Sequence, residues 1–453
     1  MGIPYFVASL LRTGHAKLLK NVRSLRVSVL GIDGNCLIHR YLDPTNPIQS
    51  VLHALNHITN DICQAERIVL ALDGLVPYAK MVQQRYRRMR PAEDSVFDRN
   101  QISPGTPYMK ELEAGIRSRF PHIELSATNE PGEGEHKLFQ RIGNTKSIAI
   151  YGLDADLVLL CLARASLSTN FVLLRESADM DTRSVSETEF STMNIQGLKT
   201  LIERHMKLSD FIAMSILCFG NDFMPKLGMF SLRANGFQTA MRLSETLRET
   251  RSDLTTFEGR DLFLATAGEL EHSTLLCEIT KRNIPFELGI VDADFGRMRR
   301  QYRLHVLDGV EDIRPVVDAY WKTFHWTWLY FTTNQVPDWN WYYPYPDAPF
   351  VADILDYDEP IFTFPFDTPT FEIADQLSFI LPAHSLRIAK KRVVYPAESY
   401  TKTREGWLTR YEWEQEPRIS LPWIPIDCRL TSIDRRTDAE TAGFPELPQA
   451  ETY

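Results

Sequence analysis

Apolar positions in the first half of the chain fall into short β-branched runs, separated by segments whose apolar residues have helical spacing. This alternation is typical of a parallel sheet whose strands are connected by helices. The three clearest runs are VSVLGID, RIVLALD and SIAIYGLDAD, and they lead into Asp33, Asp73, and the pair Asp154 and Asp156. The pattern predicts an α/β fold with a mixed, mainly parallel central sheet flanked by helices.

The organisation changes along the chain. Strand and helix signals alternate over residues 1–235, whereas residues 236–433 are mostly helical and include an aromatic-rich segment over residues 320–348. Residues 434–453 are polar and contain proline, which predicts a disordered tail. We therefore expect a catalytic region, a second, α-rich region packed on it, and this tail.

Further acidic residues accompany the predicted strand ends. The full set of seven is Asp33, Asp73, Glu133, Glu135, Asp154, Asp156 and Asp222. Ligands of parallel sheets bind beside the carboxyl ends of the strands, and carboxylates gathered there repel one another unless a cation neutralises them. Oxygen ligands without a Cys or His cluster favour Mg²⁺ or Mn²⁺, and such a set suits two ions about 3.5–4 Å apart. Any single acid would more simply be a surface residue or helix cap, but together they predict a metal-dependent phosphoryl-transfer enzyme.

A basic segment begins a few residues after Asp73. If YAKMVQQRYRRMR is helical, one face carries Lys80, Gln84, Arg87 and Arg88. A charge run of this kind is usually a solvated helix face, but its closeness to the acidic residues favours phosphate binding, for which arginine is well suited.

Composition narrows the class of protein. The chain has 44% apolar and 24% charged residues, as soluble globular proteins do. No apolar run reaches the length of a membrane span, and the first residues lack the pattern of a signal peptide. The six cysteines are scattered without zinc or disulfide spacing, which favours a reducing compartment. We expect a cytoplasmic protein, and the weak basic cluster of Lys390, Lys391 and Arg392 leaves nuclear entry open.

Net charge and aromatic content bear on nucleic-acid binding. The net charge of −9 argues against it, but the run RYRRMR at 85–90 creates a local positive potential. His39, just past Asp33, and the rings of the aromatic segment are by default core residues. A minority of such rings stack on the exposed bases of single strands.

A series of short motifs occurs in the order found in Xrn-type 5′→3′ exoribonucleases. They are MGIPYF, GIDGNCLIH, LALDGLVPYAKMVQQRYRRMR, ISPGTPYM, PGEGEHK, YGLDADLVLL, FVLLRE, CFGNDFMPKL, WNWYYPYPDAPF and FILPAHS. PGEGEHK and YGLDAD are shared more loosely with flap-endonuclease relatives, whereas the long basic motif and WNWYYPYPDAP are specific to the Xrn type. The chain resembles this family from Met1 to Ser385, which implies a fold like that of PIN and flap nucleases.

The resemblance implies roles for matching residues. The seven acids match the family's metal ligands, and Lys80, Gln84, Arg87 and Arg88 match its pocket for a 5′-monophosphate. His39 matches the family's base-stacking histidine, and its partner matches Trp339 or Trp341. The implied cofactor is Mg²⁺ (or Mn²⁺), as two ions, and the implied partner is single-stranded RNA with a 5′-monophosphate, degraded to mononucleotides as in mRNA decay. We expect a monomer without a membrane partner, and the sequence identifies no decapping or adaptor protein.

The chain also departs from the family. Lys226 stands where the family usually has histidine, so a contact near Asp222 is expected to differ. The additional C-terminal domains of large cytoplasmic members have no counterpart, which predicts a compact catalytic core. Two alternatives stay open: a flap-type structure-specific DNA nuclease, disfavoured because no G-x-G run follows Asp222, and a catalytically inactive RNA-binding scaffold, disfavoured because all seven acids are present.

Overall fold

The computed structural model of the chain describes residues 3, 5–12, 18–88, 96–176, 185–279, 290, 292–307, 309–381, 385, 388, 403–404 and 407–408. The strands are β1 (Leu19–Val22), β2 (Leu25–Asp33), β3 (Cys63–Ala71), β4 (Ile123–Ser126), β5 (Ser147–Tyr151), β6 (Asn170–Glu176), β7 (Phe190–Asn194), β8 (Thr403–Arg404) and β9 (Trp407–Leu408). The α-helices are α1 (Phe6–Arg12), α2 (Gly34–Tyr41), α3 (Pro47–His57), α4 (Tyr78–Arg88), α5 (Pro107–Arg119), α6 (Gly134–Arg141), α7 (Leu157–Ala163), α8 (Ile195–Ile202), α9 (Leu208–Phe219), α10 (Gly236–Thr250), α11 (Phe257–Ile279), α12 (Phe295–His305), α13 (Arg314–Thr333), α14 (Val351–Leu355) and α15 (Ile373–Ile380).

Seven strands form one sheet in the order β1-β7-β6-β5-β2-β3-β4. The five strands from β6 to β4 are parallel, whereas β1 and β7 pair antiparallel at one edge. The predicted α/β fold with a mixed, mainly parallel sheet flanked by helices is confirmed. Strands β1, β4 and β7 were not predicted, because short runs such as LKNV carry little apolar signal. Strands β8 and β9 form a separate hairpin.

Alternate residues of the central strands enter two apolar layers, one on each face of the sheet. In β2, Val29 joins one layer and Leu30 the other; in β5, Ile150 and Tyr151 divide in the same way. Helices cover both faces, which explains why these strands are apolar throughout rather than alternating. Each fully buried aliphatic side chain contributes about 1.5–3 kcal/mol to the free energy of folding.

Connectivity reverses at β2. From β2 the chain adds β3 and then β4 on one side, and later places β5 on the other side of β2. Such a reversal leaves a crevice at the carboxyl ends of the two strands, where ligands of open α/β sheets bind. Asp33 is the last residue of β2 and pairs with Ala71 of β3, while Tyr151 ends β5 beside Ile32. The acidic residues that follow these strands therefore meet at this crevice.

Residues on both sides of the predicted boundary at 235 and 236 belong to one core. The hydroxyl of Tyr320, on α13, donates to the carbonyl oxygen of Leu217, on α9, at 2.7 Å. Helix α15 packs against α4, where a smaller apolar cluster includes Trp339. The described part of the second region thus packs on the first, although the boundaries themselves stay predictions. The predicted tail at 434–453 and the cluster at 390–392 lie outside the described residues.

None of the helices in the described ranges combines the length and the apolar character needed to cross a membrane.

Candidate active site

The seven predicted acids gather at the crevice, each at the end of an element. Asp33 ends β2, Asp73 follows β3, Glu133 and Glu135 begin α6, Asp154 and Asp156 lie between β5 and α7, and Asp222 follows α9. All except Asp73 and Asp154, which are half-buried, have buried side chains. The structure therefore brings together residues from five separate segments of the sequence.

Mutual repulsion is visible in the ionisation of these acids. Burial, followed by the charges of Asp73 and Asp154, raises the pKa of Asp33 to about 8. Burial, followed by the charges of Asp154 and Asp222, raises the pKa of Asp156 to about 7. Carboxylates with raised pKa values in a confined space are stabilised by a nearby cation.

Two neighbours hold Asp73 in place. Asn35 donates from Nδ2 to Oδ2 of Asp73 at 3.1 Å, and the backbone N–H of Asp73 donates to Oδ1 of Asn35 at 2.9 Å. The N–H of Gly134 donates to Oδ1 of Asp73 at 2.7 Å. Only glycine fits at 134, because a Cβ there would lie 2.9 Å from the carbonyl oxygen of Ala71. No role was predicted for Asn35, although its position two residues after Asp33 could have suggested one.

Asp33 has a structural role as well. Its Oδ1 accepts hydrogen bonds from the N–H groups of Asn35 at 3.1 Å and Cys36 at 3.2 Å, so it caps α2. Asp33 is therefore a helix cap, as an isolated acid would be, and it is also a member of the acidic cluster.

Helix α4 touches the acidic cluster directly. The Lys80 Nζ lies 2.6 Å from Oε2 of Glu133 and 2.7 Å from Oδ2 of Asp222, and Nη2 of Arg87 lies 3.2 Å from Oδ1 of Asp222. Burial opposes the ionisation of Asp222, but the positive charges of Lys80 and Arg87 hold its pKa below the ordinary range. A solvated helix face is thus excluded for Lys80, which is buried.

The remaining basic-face residues have different surroundings. Arg88 donates to the carbonyl oxygen of Ile102 at 3.2 Å and to the hydroxyl of Ser103, which ties it to the turn after residue 100. Gln84 Oε1 and Arg87 Nε are buried without a hydrogen-bond partner. Residues 78–88 are helical, as predicted, and of these two unpartnered groups the Arg87 Nε–H is the donor that an anion could accept from.

The three predicted stacking residues differ in exposure. His39 is exposed, yet burial of its ring by surrounding protein and then the charges of Arg88 and Arg99 lower its pKa to about 4. Trp339 is buried and packs against Phe371. Trp341 is half-buried.

Trp341 has its own partners. The Nζ of Lys322 lies 4.0 Å from the centre of the Trp341 ring, and the indole N–H donates to the hydroxyl of Thr323 at 3.1 Å. Of the two tryptophans, Trp341 is therefore the more accessible one, and its ring already carries a cation on one face.

The second region reaches the acidic cluster through α13. The Tyr330 hydroxyl donates to Oε1 of Glu133 at 2.8 Å, and the Tyr330 ring stacks on His136 with 3.7 Å between centroids. Sequence reasoning missed both contacts. Tyr330 and Glu133 are 197 positions apart, and Tyr330 lies within an aromatic segment where nothing distinguishes it from core residues.

The donor chemistry fits a divalent cation. The cluster offers carboxylate oxygens only, its members repel one another, and Oδ1 of Asp156 is buried without a partner. In the described part of the chain, however, no three His, Cys, Asp or Glu side chains are grouped closely enough to hold a metal ion as they stand. Lys80 bridges Glu133 and Asp222, so these two side chains would have to adjust to bind one.

Two family models match this chain. The model described as the XRN 5′-3′ exonuclease N-terminus matches residues 1–96 and 90–177, and the model described as the Xrn1 helical domain matches residues 299–391. The first match contains six of the seven acids and the whole of α4, and the second contains Tyr330 and both tryptophans.

Curated relatives agree with these matches. Human 5′-3′ exoribonuclease 1 is 24% identical over 497 residues, covering 79% of this chain and 29% of that protein. The Saccharomyces cerevisiae proteins 5′-3′ exoribonuclease 1 and 2 are 28% and 26% identical over 42% and 46% of this chain, and over 16% and 30% of their own lengths. The chain thus spans less than a third of each relative.

Residues 1–177 and 299–391 of this chain are thus similar to the N-terminal and helical regions of Xrn-type 5′→3′ exoribonucleases.

Proposed function

We propose that this protein is a Mg²⁺-dependent 5′→3′ exoribonuclease that releases mononucleotides from single-stranded RNA carrying a 5′-monophosphate. The observation that carries the proposal is the direct contact between the acidic cluster and the basic helix, made by Lys80 and Arg87. A phosphate held on α4 would place the first phosphodiester near the carboxylates. The names of the relatives, 5′-3′ exoribonucleases, support this type of reaction.

The carboxylates would hold the cofactor. Two divalent ions, when bound, would supply an activated water and stabilise the leaving oxygen of an in-line displacement. The raised pKa values of Asp33 and Asp156 favour a bound cation beside them. Asn35 and Gly134 keep Asp73 oriented towards the same crevice.

Helix α4 would select the 5′ end. Seven carboxylates repel a polyanionic strand, so positive side chains beside them are needed for RNA to approach. Arg87, oriented by Asp222, would bind the terminal phosphate through its guanidinium, and Gln84 lies beside it on the same helix. Lys80 would offset the charge of Glu133 and Asp222 beside the phosphate.

Aromatic rings would hold the first base. His39 is neutral at physiological pH because its pKa is lowered to about 4, so it would stack as an uncharged ring. Its exposed position allows such contact without rearrangement of the core. The partner ring would be Trp341 or Trp339.

A gel time course tests the function. One single-stranded RNA carrying a 5′-monophosphate, a 5′-hydroxyl or a cap is incubated with the protein in Mg²⁺ or in EDTA. Decay of the monophosphorylated RNA alone, with release of mononucleotides and inhibition by EDTA, is the expected result. Decay of all three RNAs would refute the pocket, and preferential cleavage of a branched DNA would favour a flap-type nuclease. Tight binding without turnover would favour an inactive scaffold.

A double substitution sharpens the test of the pocket. Lys80→Ala combined with Arg88→Ala is expected to abolish the preference for 5′-phosphate over 5′-hydroxyl. An unchanged preference would refute the assignment of these residues.

A further inference from the structure

Asn334, the residue that follows α13, forms hydrogen bonds with the first turn of α6. Asn334 donates from Nδ2 to the carbonyl oxygen of His136 at 2.8 Å, and its Oδ1 lies 2.8 Å from Nδ1 of the same histidine. The Gln140 side chain, one turn further along α6, donates to the carbonyl oxygen of Asn334 at 3.3 Å. A single residue of the second region therefore holds both the main chain and the side chain of His136.

The backbone of Asn334 suits this role. Its φ of 61° lies in the left-handed region, which ends α13 and which asparagine tolerates better than most residues other than glycine. This conformation turns the side chain of Asn334 back towards His136. The position thus requires both a left-handed backbone and an amide side chain.

The imidazole of His136 is immobilised. Because the Asn334 amide donates to the His136 carbonyl, its oxygen is the acceptor for an N–H on Nδ1 of His136. The ring lies flat on Tyr330, with an interplanar angle of 17°, and it is buried. One hydrogen bond and one stacked ring therefore orient the His136 imidazole.

Helix α13 also contacts the N-terminal end of this turn of α6. The hydroxyl of Tyr330 donates to Glu133, which is the N-cap residue of α6, and His136 follows three residues later. Glu135 lies between these two anchored positions, with its side chain buried.

We propose that Asn334 is a positioning residue that fixes the first turn of α6 through His136 and so sets the carboxylates of Glu133 and Glu135. Tyr330, on α13, adds the hydrogen bond to Glu133. The second region is then part of the active site and not only a support for it. This inference deepens the proposed function and rests on it for its kinetic consequence, because groups that orient ligands typically change metal affinity by about 10–100-fold.

The decisive variant is Asn334→Gly. Glycine keeps the left-handed backbone and removes both side-chain hydrogen bonds. The variant therefore tests the loss of these hydrogen bonds without adding backbone strain. Gln335→Ala, at the exposed neighbouring position, is the matched control. Tyr330→Phe keeps the stacked ring and removes only the bond to Glu133, which provides a second variant if Asn334→Gly does not fold.

Two measurements are made on each full-length protein. Hydrogen–deuterium exchange of the metal-free protein is expected to be about tenfold faster in the first turn of α6 for Asn334→Gly, and unchanged for Gln335→Ala. The Mg²⁺ concentration for half-maximal RNA degradation is expected to rise about tenfold, while KM for RNA changes less than about twofold.

The outcomes separate this inference from the function. Unchanged exchange in α6 for both Asn334→Gly and Tyr330→Phe would overturn the positioning role, whatever the activity. Faster exchange in a protein whose wild type degrades no RNA would support the positioning role and refute the exoribonuclease. Faster exchange with an unchanged Mg²⁺ requirement would overturn the link between this turn and the metal site.

Discussion

The ammonium of Lys80 lies 2.7 Å from Oδ2 of Asp222, and both side chains are almost completely buried, with exposed fractions of 10% and 1%. This pair joins a residue of the proposed phosphate pocket to a residue of the proposed metal site. The two sites therefore share an ion pair, and a change of charge at one site alters the electrostatics of the other. Because the charges are buried, removing either partner weakens the compensation of the other, since Asp222 then keeps Arg87 and Lys80 keeps Glu133.

Lys80→Met is expected to lower the free energy of unfolding by about 3–5 kcal/mol, since Asp222 and Glu133 then lose a buried positive partner. Urea denaturation of the metal-free protein measures this change. Lys110→Met, at an exposed position on α5, is the control and should change stability by less than about 0.5 kcal/mol. Equal effects of the two substitutions would show that the buried ion pair does not stabilise the protein.

Asp154→Asn is expected to reduce RNA degradation by at least about a hundredfold while the protein stays folded. Asn is nearly isosteric with Asp, so the metal-free protein should still unfold in one cooperative thermal transition. Initial rates and a thermal melt test both parts. Asp367→Asn, at an exposed acid, serves as control. Full activity in Asp154→Asn would exclude it from the catalytic cluster.

Arg87→Ala is expected to reduce the preference for a 5′-monophosphate over a 5′-hydroxyl by about tenfold or more, because one charged hydrogen bond to the phosphate is lost. The measurement is the ratio of the initial rates on the two RNAs, which corrects for any general loss of activity. A fall in both rates with a constant ratio would show that Arg87 pairs with Asp222 but does not bind the 5′-phosphate.

The contribution of Asp33 and Asp156 to metal-free stability is expected to fall as the pH rises from about 4 to about 8. The folded-state pKa of Asp33, about 8, lies above its ordinary value of 3.8, so the folded protein binds more protons than the unfolded chain in this window. Asp156 acts in the same direction up to about pH 7. Mg²⁺ should therefore raise the unfolding midpoint more at pH 8 than at pH 5.5. Equal stabilisation at both values would contradict binding at these carboxylates.

His39→Phe is expected to retain most RNA degradation, whereas His39→Ala should lose about 1–3 kcal/mol of binding to the first base. The lowered pKa of about 4 keeps His39 neutral above pH 5, so the pH–rate profile of His39→Phe should match that of the wild type from pH 5.5 to 8. Loss of an ionisation step from the profile of His39→Phe would instead show that His39 acts as an acid or base.

Much of the fold and of the acidic cluster was predictable from local patterns. The run that ends at Asp33 is a strand in the structure, and the basic segment from Tyr78 to Arg88 is a helix with its predicted face. Both predictions depend on the spacing of residues within about ten positions, which the periods of strands and helices fix. The meeting of the acids followed from the rule that parallel strands present their carboxyl ends at one edge.

Only the tertiary structure decided which partners these residues have. Lys80 lies between Glu133 and Asp222, Arg88 is tied to the turn at Ile102 and Ser103, and α13 reaches α6 through Tyr330. No periodicity encodes such contacts, because they join segments far apart in sequence and depend on how helices pack across the sheet. The sequence by itself determined the elements and the edge of the sheet where the acids lie, whereas long-range packing determined their charge partners.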